Sequence, residues 1–184
     1  MRLHRLEMTA FGPFAGTEEV DFDALADEGL HLIQGPTGAG KSSILDAICF
    51  ALFAAVPRAR GGKSSLHSDH AQPGSVPQVV LELTASGRRF RITRSPGFSR
   101  PKKRGTGETL VQPRVLLEEH LNRQWVAKGT RIDEVALVID DVVGLGLEQF
   151  VKVVLLPQGE FAAFLRASPE ERRGLLERLF DTSR

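Results

Sequence analysis

The chain has 184 residues, of which 41% are apolar and 26% are charged, and this composition is typical of a folded globular chain rather than a disordered one. Its 24 basic and 23 acidic residues give a net charge of only +1, which argues against a uniformly basic nucleic-acid-binding protein. One cysteine, Cys49, excludes an internal disulfide framework, and no apolar run reaches the ~18 residues of a transmembrane helix. The N-terminus lacks the apolar core of a signal peptide, so we expect a cytoplasmic protein without a membrane partner.

The first third of the chain is predicted to contain three strands and one helix. Strands over 3–11 and 18–22 are separated by a Gly-Pro turn, and an apolar strand over 30–33 leads into a glycine-rich loop. A helix is expected from Gly40, and Pro57 is expected to end it. Four apolar residues of that helix recur at helical spacing: Ile44, Ile48, Leu52 and Ala55.

The middle of the chain is predicted to be rich in strands. After a loop over 58–77, alternating apolar residues predict a hairpin whose turn lies at Ser86-Gly87. The stretch 95–109, which is rich in Pro, Gly, Lys and Arg, is predicted to be a mobile loop. Two more strands are expected over 110–117 and 124–127.

Residues 131–143 have two interpretations. As a strand, this segment would end at Asp140 and Asp141 and would resemble the apolar run plus carboxylate of a Mg²⁺-dependent NTPase. As a helix, its apolar residues continue with a period near 3.6, and the acidic residues fall mainly off the apolar stripe. We favour the helix, which means that the chain does not supply its own metal-binding carboxylate.

The charge is unevenly distributed along the chain. Residues 88–104 contain eight basic residues and no acidic one, which leaves 16 basic against 23 acidic residues elsewhere. Such a block can be a solvated loop or a surface for phosphate backbones. We hypothesise that six of its residues contact DNA: Arg88, Arg94, Arg100, Lys102, Lys103 and Arg104. Arg88 and Arg94 are expected on the solvent side of the hairpin, opposite Phe90 and Ile92.

The strongest chemical signal is a G-x-x-x-x-G-K-[ST] motif over 35–42. Its glycines let the backbone wrap around phosphate oxygens, and the N–H groups of the loop and of the following helix supply donors. Lys41 can reach the β- and γ-phosphates, and the Ser42 hydroxyl can bind Mg²⁺. The predicted nucleotide-binding residues are Gly35, Pro36, Thr37, Gly38, Ala39, Gly40, Lys41, Ser42 and Ser43.

The base of the nucleotide is predicted to be adenine. A guanine reader of the Asn-Lys-x-Asp type is missing, because the sole asparagine of the chain, Asn122, is followed by Arg123. ATP with Mg²⁺ is therefore the expected ligand.

The sequence resembles the N-terminal segment of the bacterial SbcC family, which are SMC-related ATPases that partner the nuclease SbcD in processing DNA double-strand breaks. The resemblance rests on four segments. These are MRLHRLEMTAFGPFAGTEEVDF, GLHLIQGPTGAGKSSILDAICFALF, LHSDHA at 66–71 and LLPQGEF at 155–161.

The resemblance implies an α/β fold of the P-loop NTPase class. This would be the N-terminal lobe of an ABC-type head, with a mixed sheet around the P-loop helix and an antiparallel β subdomain over about 78–128. The lobe would cover 1–167, and 168–184 would begin a coiled coil, since Ser168, Pro169 and Glu171 form a strong helix start. The C-terminal half of the head would supply the signature motif, the metal-binding Asp and the catalytic Glu.

The resemblance also implies site residues and partners. Gln158 matches the Q-loop glutamine, which would complete the Mg²⁺ shell and sense the γ-phosphate beside the catalytic Lys41. The expected partners are the protein's own C-terminal half, a second SbcC head, an SbcD-like nuclease and double-stranded DNA, at the bacterial nucleoid. Two alternatives remain open: an SMC-like ATP-gated DNA clamp without a nuclease, and a small-molecule P-loop kinase, which would need its own carboxylate.

Overall fold

The computed structural model describes residues 1–25, 32–57, 66–102, 106–155, 168–170 and 173. The chain divides into a larger unit, Met1–Gly144, and a smaller one, Leu145–Arg184. The larger unit contains eight strands and three helices within these ranges. The strands are β1 (Arg2–Thr9), β2 (Thr17–Asp21), β3 (Gln78–Ala85), β4 (Arg88–Ser95), β5 (Phe98–Pro101), β6 (Glu108–Val111), β7 (Arg114–Leu121) and β8 (Gln124–Gly129), and the helices are α1 (Phe22–Leu25), α2 (Lys41–Phe53) and α3 (Ile132–Val143).

Six strands form one sheet in the order β2-β1-β3-β4-β7-β8, and β5 and β6 form a separate two-stranded ribbon. All neighbouring pairs among the described strands are antiparallel. The predicted α/β class is confirmed, although the parallel pairs of a mixed sheet do not occur between these strands.

One face of the sheet packs against α2 and α3 and forms the core. A row of paired residues, Leu6, Leu81, Ile92 and Leu117, crosses four strands at full burial. Helix α3 presents Val135, Ile139 and Val142 to this core at the predicted spacing. The buried area of these side chains is the main stabilising term, because each fully buried aliphatic residue contributes about 1.5–3 kcal/mol.

The opposite face of the sheet carries a ladder of alternating charges. Arg5, Glu82, Arg91 and Glu118 face one another in register across β1, β3, β4 and β7. Arg91 Nε lies 2.7 Å from Glu118 Oε2, and the Arg91 guanidinium lies 4.5 Å from the centre of the Trp125 ring. The acidic residues therefore neutralise much of the basic strand β4 on this face.

The predicted helix over 131–143 is confirmed, which places Asp140 and Asp141 on a helix and excludes the strand interpretation. The hairpin of β3 and β4 is also as predicted. The strands predicted over 3–11 and 18–22 are present as β1 and β2, with bounds that differ by one or two residues.

Four predictions about local structure are wrong. The strand predicted over 110–117 is divided at residues 112–113 between β6 and β7, which belong to different sheets. Residues 95–109 are not simply a loop, because 98–101 and 108–111 pair as β5 and β6. Residues 32–33 form no strand, since no neighbouring strand is there among the described residues to accept their hydrogen bonds; residues 30–31 lie outside the described part. Helix α2 ends at Phe53 and not at Pro57, because Ala54 turns into a left-handed conformation with φ of 57°.

The smaller unit is described over a short segment. It contains α4 (Leu147–Phe150), followed directly by a π-helical turn over Val151–Leu155. The backbone N–H of Gly146 donates to Gln149 Oε1 at 3.0 Å and caps the start of α4. Most of the helix predicted from Ser168 lies outside the described residues. Within the described ranges, no helix is long and apolar enough to cross a membrane.

Candidate nucleotide-binding site

The glycine-rich loop runs directly into the N-terminus of α2. Gly38 and Gly40 both have φ of 87°, a left-handed conformation that strains any residue with a Cβ. The loop closes through two short-range bonds, from Ala39 N–H to the Pro36 carbonyl at 3.2 Å and from Ser43 N–H to the Gly40 carbonyl at 2.8 Å. The exposed loop thus has the curvature that a phosphate-binding loop requires.

Lys41 is folded back across the mouth of this loop. Its Nζ donates to the carbonyl oxygens of Gly35 and Pro36, each at 2.7 Å. The ammonium group therefore lies beside the loop into which a phosphate chain would fit. Ser42 and Ser43 occupy the first turn of α2, where the positive end of the helix dipole favours an anion.

The turn between β1 and β2 packs against the phosphate loop, which the sequence did not predict. A Cβ placed on Gly40 would lie 2.6 Å from Phe14 Cζ and 2.9 Å from Pro13 Cγ. A Cβ on Gly12 would lie 3.5 Å from Ser43 Oγ. The Gly12-Pro13 turn was visible in the sequence, but its position above α2 depends on long-range packing.

A second loop supports this turn from the other side. Gly12 N–H donates to the Leu66 carbonyl at 3.0 Å, and Ser68 N–H donates to the Ala10 carbonyl at 2.9 Å. The His67 ring lies edge-on to Phe98, with centroids 5.3 Å apart. The segment around His67 therefore supports the turn that contacts the phosphate loop.

The structure contradicts the solvent-exposed position predicted for Arg94, on which its predicted DNA contact depended. Residues 88, 90, 92 and 94 share one face of β4, because side chains alternate with a period of two. Arg94 thus points into the core beside Ile92 and is only 4% exposed. The prediction that Arg94 lies on the face opposite Phe90 and Ile92 is wrong, because residues two apart in a strand face the same side.

Arg88 lies at the end of the same face and forms a bidentate pair. Its Nε and Nη2 donate to the two oxygens of Glu119 at 2.7 and 3.0 Å, and its guanidinium lies 4.8 Å from the centre of the Phe90 ring. This pairing reduces the charge that Arg88 could offer to a phosphate.

The remaining basic residues are only partly described. Arg100 lies on β5 and Lys102 follows it, in the ribbon formed with β6. Lys103 and Arg104 lie outside the described residues, as does Gln158, so their predicted roles remain predictions. A groove of about 420 Å³ beside the ribbon is lined by Arg100, Arg114 and polar side chains that include Gln112 and Thr93.

Replacing Glu119 by glutamine should destabilise the fold at neutral pH and make its stability depend less on pH in the acidic range. The hydrogen bonds from Arg88 lower the pKa of Glu119 to about 2; burial opposes this shift, and Lys128, 3.1 Å away, adds to it. Since this folded-state pKa lies below the ordinary value of 4.5, the ionised carboxylate stabilises the fold above about pH 4.5, and this contribution is lost as the pH falls toward 2.

We expect Glu119→Gln to lower the melting temperature by about 5 °C at pH 7 and to have little effect near pH 2. Thermal melts followed by circular dichroism from pH 2 to pH 7 test this, with Glu18→Gln, an exposed change on β2, as control. An equal drop at all pH values would contradict the ionic origin of the effect.

A loop with positive-φ glycines, a lysine across its mouth and a helix that begins directly after it define a P-loop NTPase. The chain belongs to the AAA domain family, whose model matches residues 5–184.

Within that class, three similar proteins share one name, which describes them as the C component of the nuclease SbcCD. The protein of Vibrio cholerae is 41% identical over 99% of this chain, that of Deinococcus radiodurans is 36% identical over 97%, and that of Lactococcus lactis is 35% identical over 96%. The resemblance to the SbcC family is thus confirmed. The matched regions cover only 18%, 18% and 17% of those three relatives.

Proposed function

We propose that this chain is the N-terminal lobe of an SbcC-like ATPase head that binds ATP and Mg²⁺ at residues 35–43. With its C-terminal half, the lobe dimerises with a second head and hydrolyses ATP, and this cycle controls the access of an SbcD-like nuclease to DNA ends. The observation that carries the proposal is the phosphate loop itself, with Lys41 Nζ 2.7 Å from the carbonyls of Gly35 and Pro36.

The proposal assigns chemical roles to the backbone of the loop, to Lys41 and Ser42, and to Gln158. The backbone N–H groups of the loop and of the first turn of α2 hold the phosphate oxygens, and Lys41 turns from the carbonyls to the β- and γ-phosphates. Ser42 and Gln158 would hold Mg²⁺, which neutralises phosphate charge when it is bound. The signature motif and the catalytic carboxylate would come from the C-terminal half.

Exposed apolar residues beside the phosphate loop support the proposal that a segment of the C-terminal half packs there. Leu32 is 84% exposed and Ile33 is 48% exposed, and only Gln34 separates them from Gly35. Large apolar side chains next to one another at a functional loop are typical of a contact surface. Pairing with a strand from the C-terminal half would bury both.

Co-expression of this chain with the C-terminal half of the head tests the proposal. ATP with Mg²⁺ should convert the pair from a single head into a dimer of heads, as measured by light scattering after size exclusion. Lys41→Ala should abolish this conversion, and Lys102→Ala, an exposed change away from the loop, should leave it intact. An oligomeric state that does not change when ATP is added would contradict the assignment of this chain to an ATPase head.

The basic residues of 100–104 should contribute to binding of DNA by the assembled head. Phosphate contacts release counterions, so each lost contact reduces the dependence of affinity on salt. We expect changing Arg100, Lys102, Lys103 and Arg104 to Ser to weaken duplex binding at least about tenfold at low salt and to lower the salt slope by up to ~4. Fluorescence anisotropy over a range of salt concentrations measures both, and an unchanged slope would exclude these four residues from DNA contact.

A further inference from the structure

Arg94 occupies a core position that the fold otherwise gives to apolar residues. In the row that crosses β1, β3, β4 and β7, it stands in register between Val79 and Val115, with Met8 beyond Val79. These three neighbours are at most 5% exposed. An apolar side chain here would avoid the desolvation cost of a buried cation, so the guanidinium must be explained by its contacts.

Those contacts lie at the C-terminal end of α2. Arg94 Nε donates to the Ala51 carbonyl at 3.0 Å, and Nη2 lies 3.5 Å from the Leu52 carbonyl. The last carbonyls of a helix have no partner within it, and the negative end of the helix dipole attracts a cation. Arg94 therefore satisfies two carbonyls of α2, while the neighbouring Phe50 carbonyl accepts the Ala54 N–H at 2.9 Å.

The hydrogen bonds described for this cation are made with the helix end. The bonds of Arg94 that the structure describes go to carbonyl oxygens and not to carboxylates. Burial lowers the pKa of Arg94 to about 10, which still leaves it charged at neutral pH. Because Arg94 is buried and bonded to these carbonyls, it also restrains the position of the C-terminal end of α2.

Arg94 contacts the C-terminal end of α2, and the N-terminal end of the same helix forms part of the candidate nucleotide site. Helix α2 has 13 residues, which is a rigid rod about 20 Å long. Lys41 and Ser42 lie in its first turn, and residues 47–52 are buried in its second half. A small shift at the C-terminal end therefore displaces the N–H groups and Lys41 at the phosphate loop.

We propose that Arg94 is a positioning residue for nucleotide binding, because it fixes the phosphate-loop helix against strand β4. This inference rests on the proposed function of the loop. The residue would act without touching the nucleotide, through the carbonyls of Ala51 and Leu52. The basic residue that the sequence associated with DNA would instead serve the nucleotide site.

The test compares Arg94→Met with Arg91→Met in the full chain. Both changes remove one charge from β4, but Arg91 lies on the outer face and pairs with Glu118. Two quantities are measured at a temperature where circular dichroism shows a folded chain. The first is the affinity for a fluorescent ATP analogue with Mg²⁺, and the second is the rate of hydrogen exchange of the amides at 41–45 without nucleotide. We expect Arg94→Met to weaken binding at least about tenfold and to accelerate exchange of these amides, and Arg91→Met to change neither by more than about twofold.

A rescue experiment separates positioning from general destabilisation. A groove of about 480 Å³ borders Arg94 between α2 and α3, so Arg94→Ala leaves a space that a small cation can enter. Millimolar methylguanidinium should restore nucleotide affinity to this variant, whereas ethylammonium, which lacks the planar fork, should not. Arg94→Lys should bind with intermediate affinity.

The outcomes distinguish the two proposals. If the unchanged chain fails to bind the analogue but Arg94→Met still loosens residues 41–45, the proposed function fails and the grip of Arg94 on the helix stands. If folded Arg94→Met binds as well as the unchanged chain, or its amides at 41–45 exchange at the same rate, the inference is overturned. Unfolding of both the Met and Lys variants would also overturn it, since the role would then be purely structural.

Discussion

Alanine at Gly40 should lower the affinity for ATP with Mg²⁺ by about 100-fold, which corresponds to ~3 kcal/mol. The new Cβ would lie 2.6 Å from Phe14 Cζ and 2.9 Å from Pro13 Cγ, and φ of 87° is strained for alanine even in open space. The loop would have to move away from the β1–β2 turn. Isothermal titration with ATP and Mg²⁺ measures the loss.

Gly38→Ala is the matched control for backbone strain, because Gly38 has the same φ but no atom within 4 Å of its Cβ. We expect it to lose less affinity than Gly40→Ala. Adding Phe14→Ala to Gly40→Ala should recover part of the loss by removing the closest contact. Equal losses for Gly38→Ala and Gly40→Ala would show that the β1–β2 turn does not constrain the loop.

Removal of the Lys41 side chain should have an effect of similar size on binding. Its Nζ lies 2.7 Å from the carbonyls of Gly35 and Pro36, at the mouth of the loop, and it is the cation that would meet the terminal phosphates. A hydrogen bond to a charged group contributes about 1.5–3 kcal/mol, so we expect Lys41→Ala to weaken binding of the triphosphate by up to about 100-fold.

The loss at Lys41 should depend on the number of phosphates. Binding of AMP, which lacks the β- and γ-phosphates, should change little, and binding of ATP should change most. Lys102→Ala serves as control for the loss of one positive charge. A uniform loss for AMP, ADP and ATP would mean that Lys41 acts on the loop conformation rather than on the terminal phosphates.

Local patterns predicted the parts of the fold that depend on neighbouring residues. The phosphate loop, the hairpin with its Ser86-Gly87 turn and helix α3 follow from motif, turn chemistry and periodicity. The same periodicity rejected Asp140 and Asp141 as a strand-end metal site, as the structure bears out.

Features that depend on tertiary partners were not predictable in this way. The eight basic residues of 88–104 form a block in sequence, but the sheet sets Arg91 against Glu118 and Arg88 against Glu119, which lie far along the chain from them. Arg94 could have been placed correctly by period-two alternation with Ile92, although its helix partner could not. The packing of Phe14 on Gly40 likewise has no local sequence signal.

Simultaneous measurement of nucleotide binding and phosphate release by this chain alone tests the split-head assignment most directly. We expect saturable binding of ATP with Mg²⁺ that depends on Lys41, with no phosphate release until the C-terminal half is added. Turnover by the isolated chain that is lost in Lys41→Ala would contradict the split-head assignment, and an absence of binding both with and without the C-terminal half would contradict the nucleotide site itself.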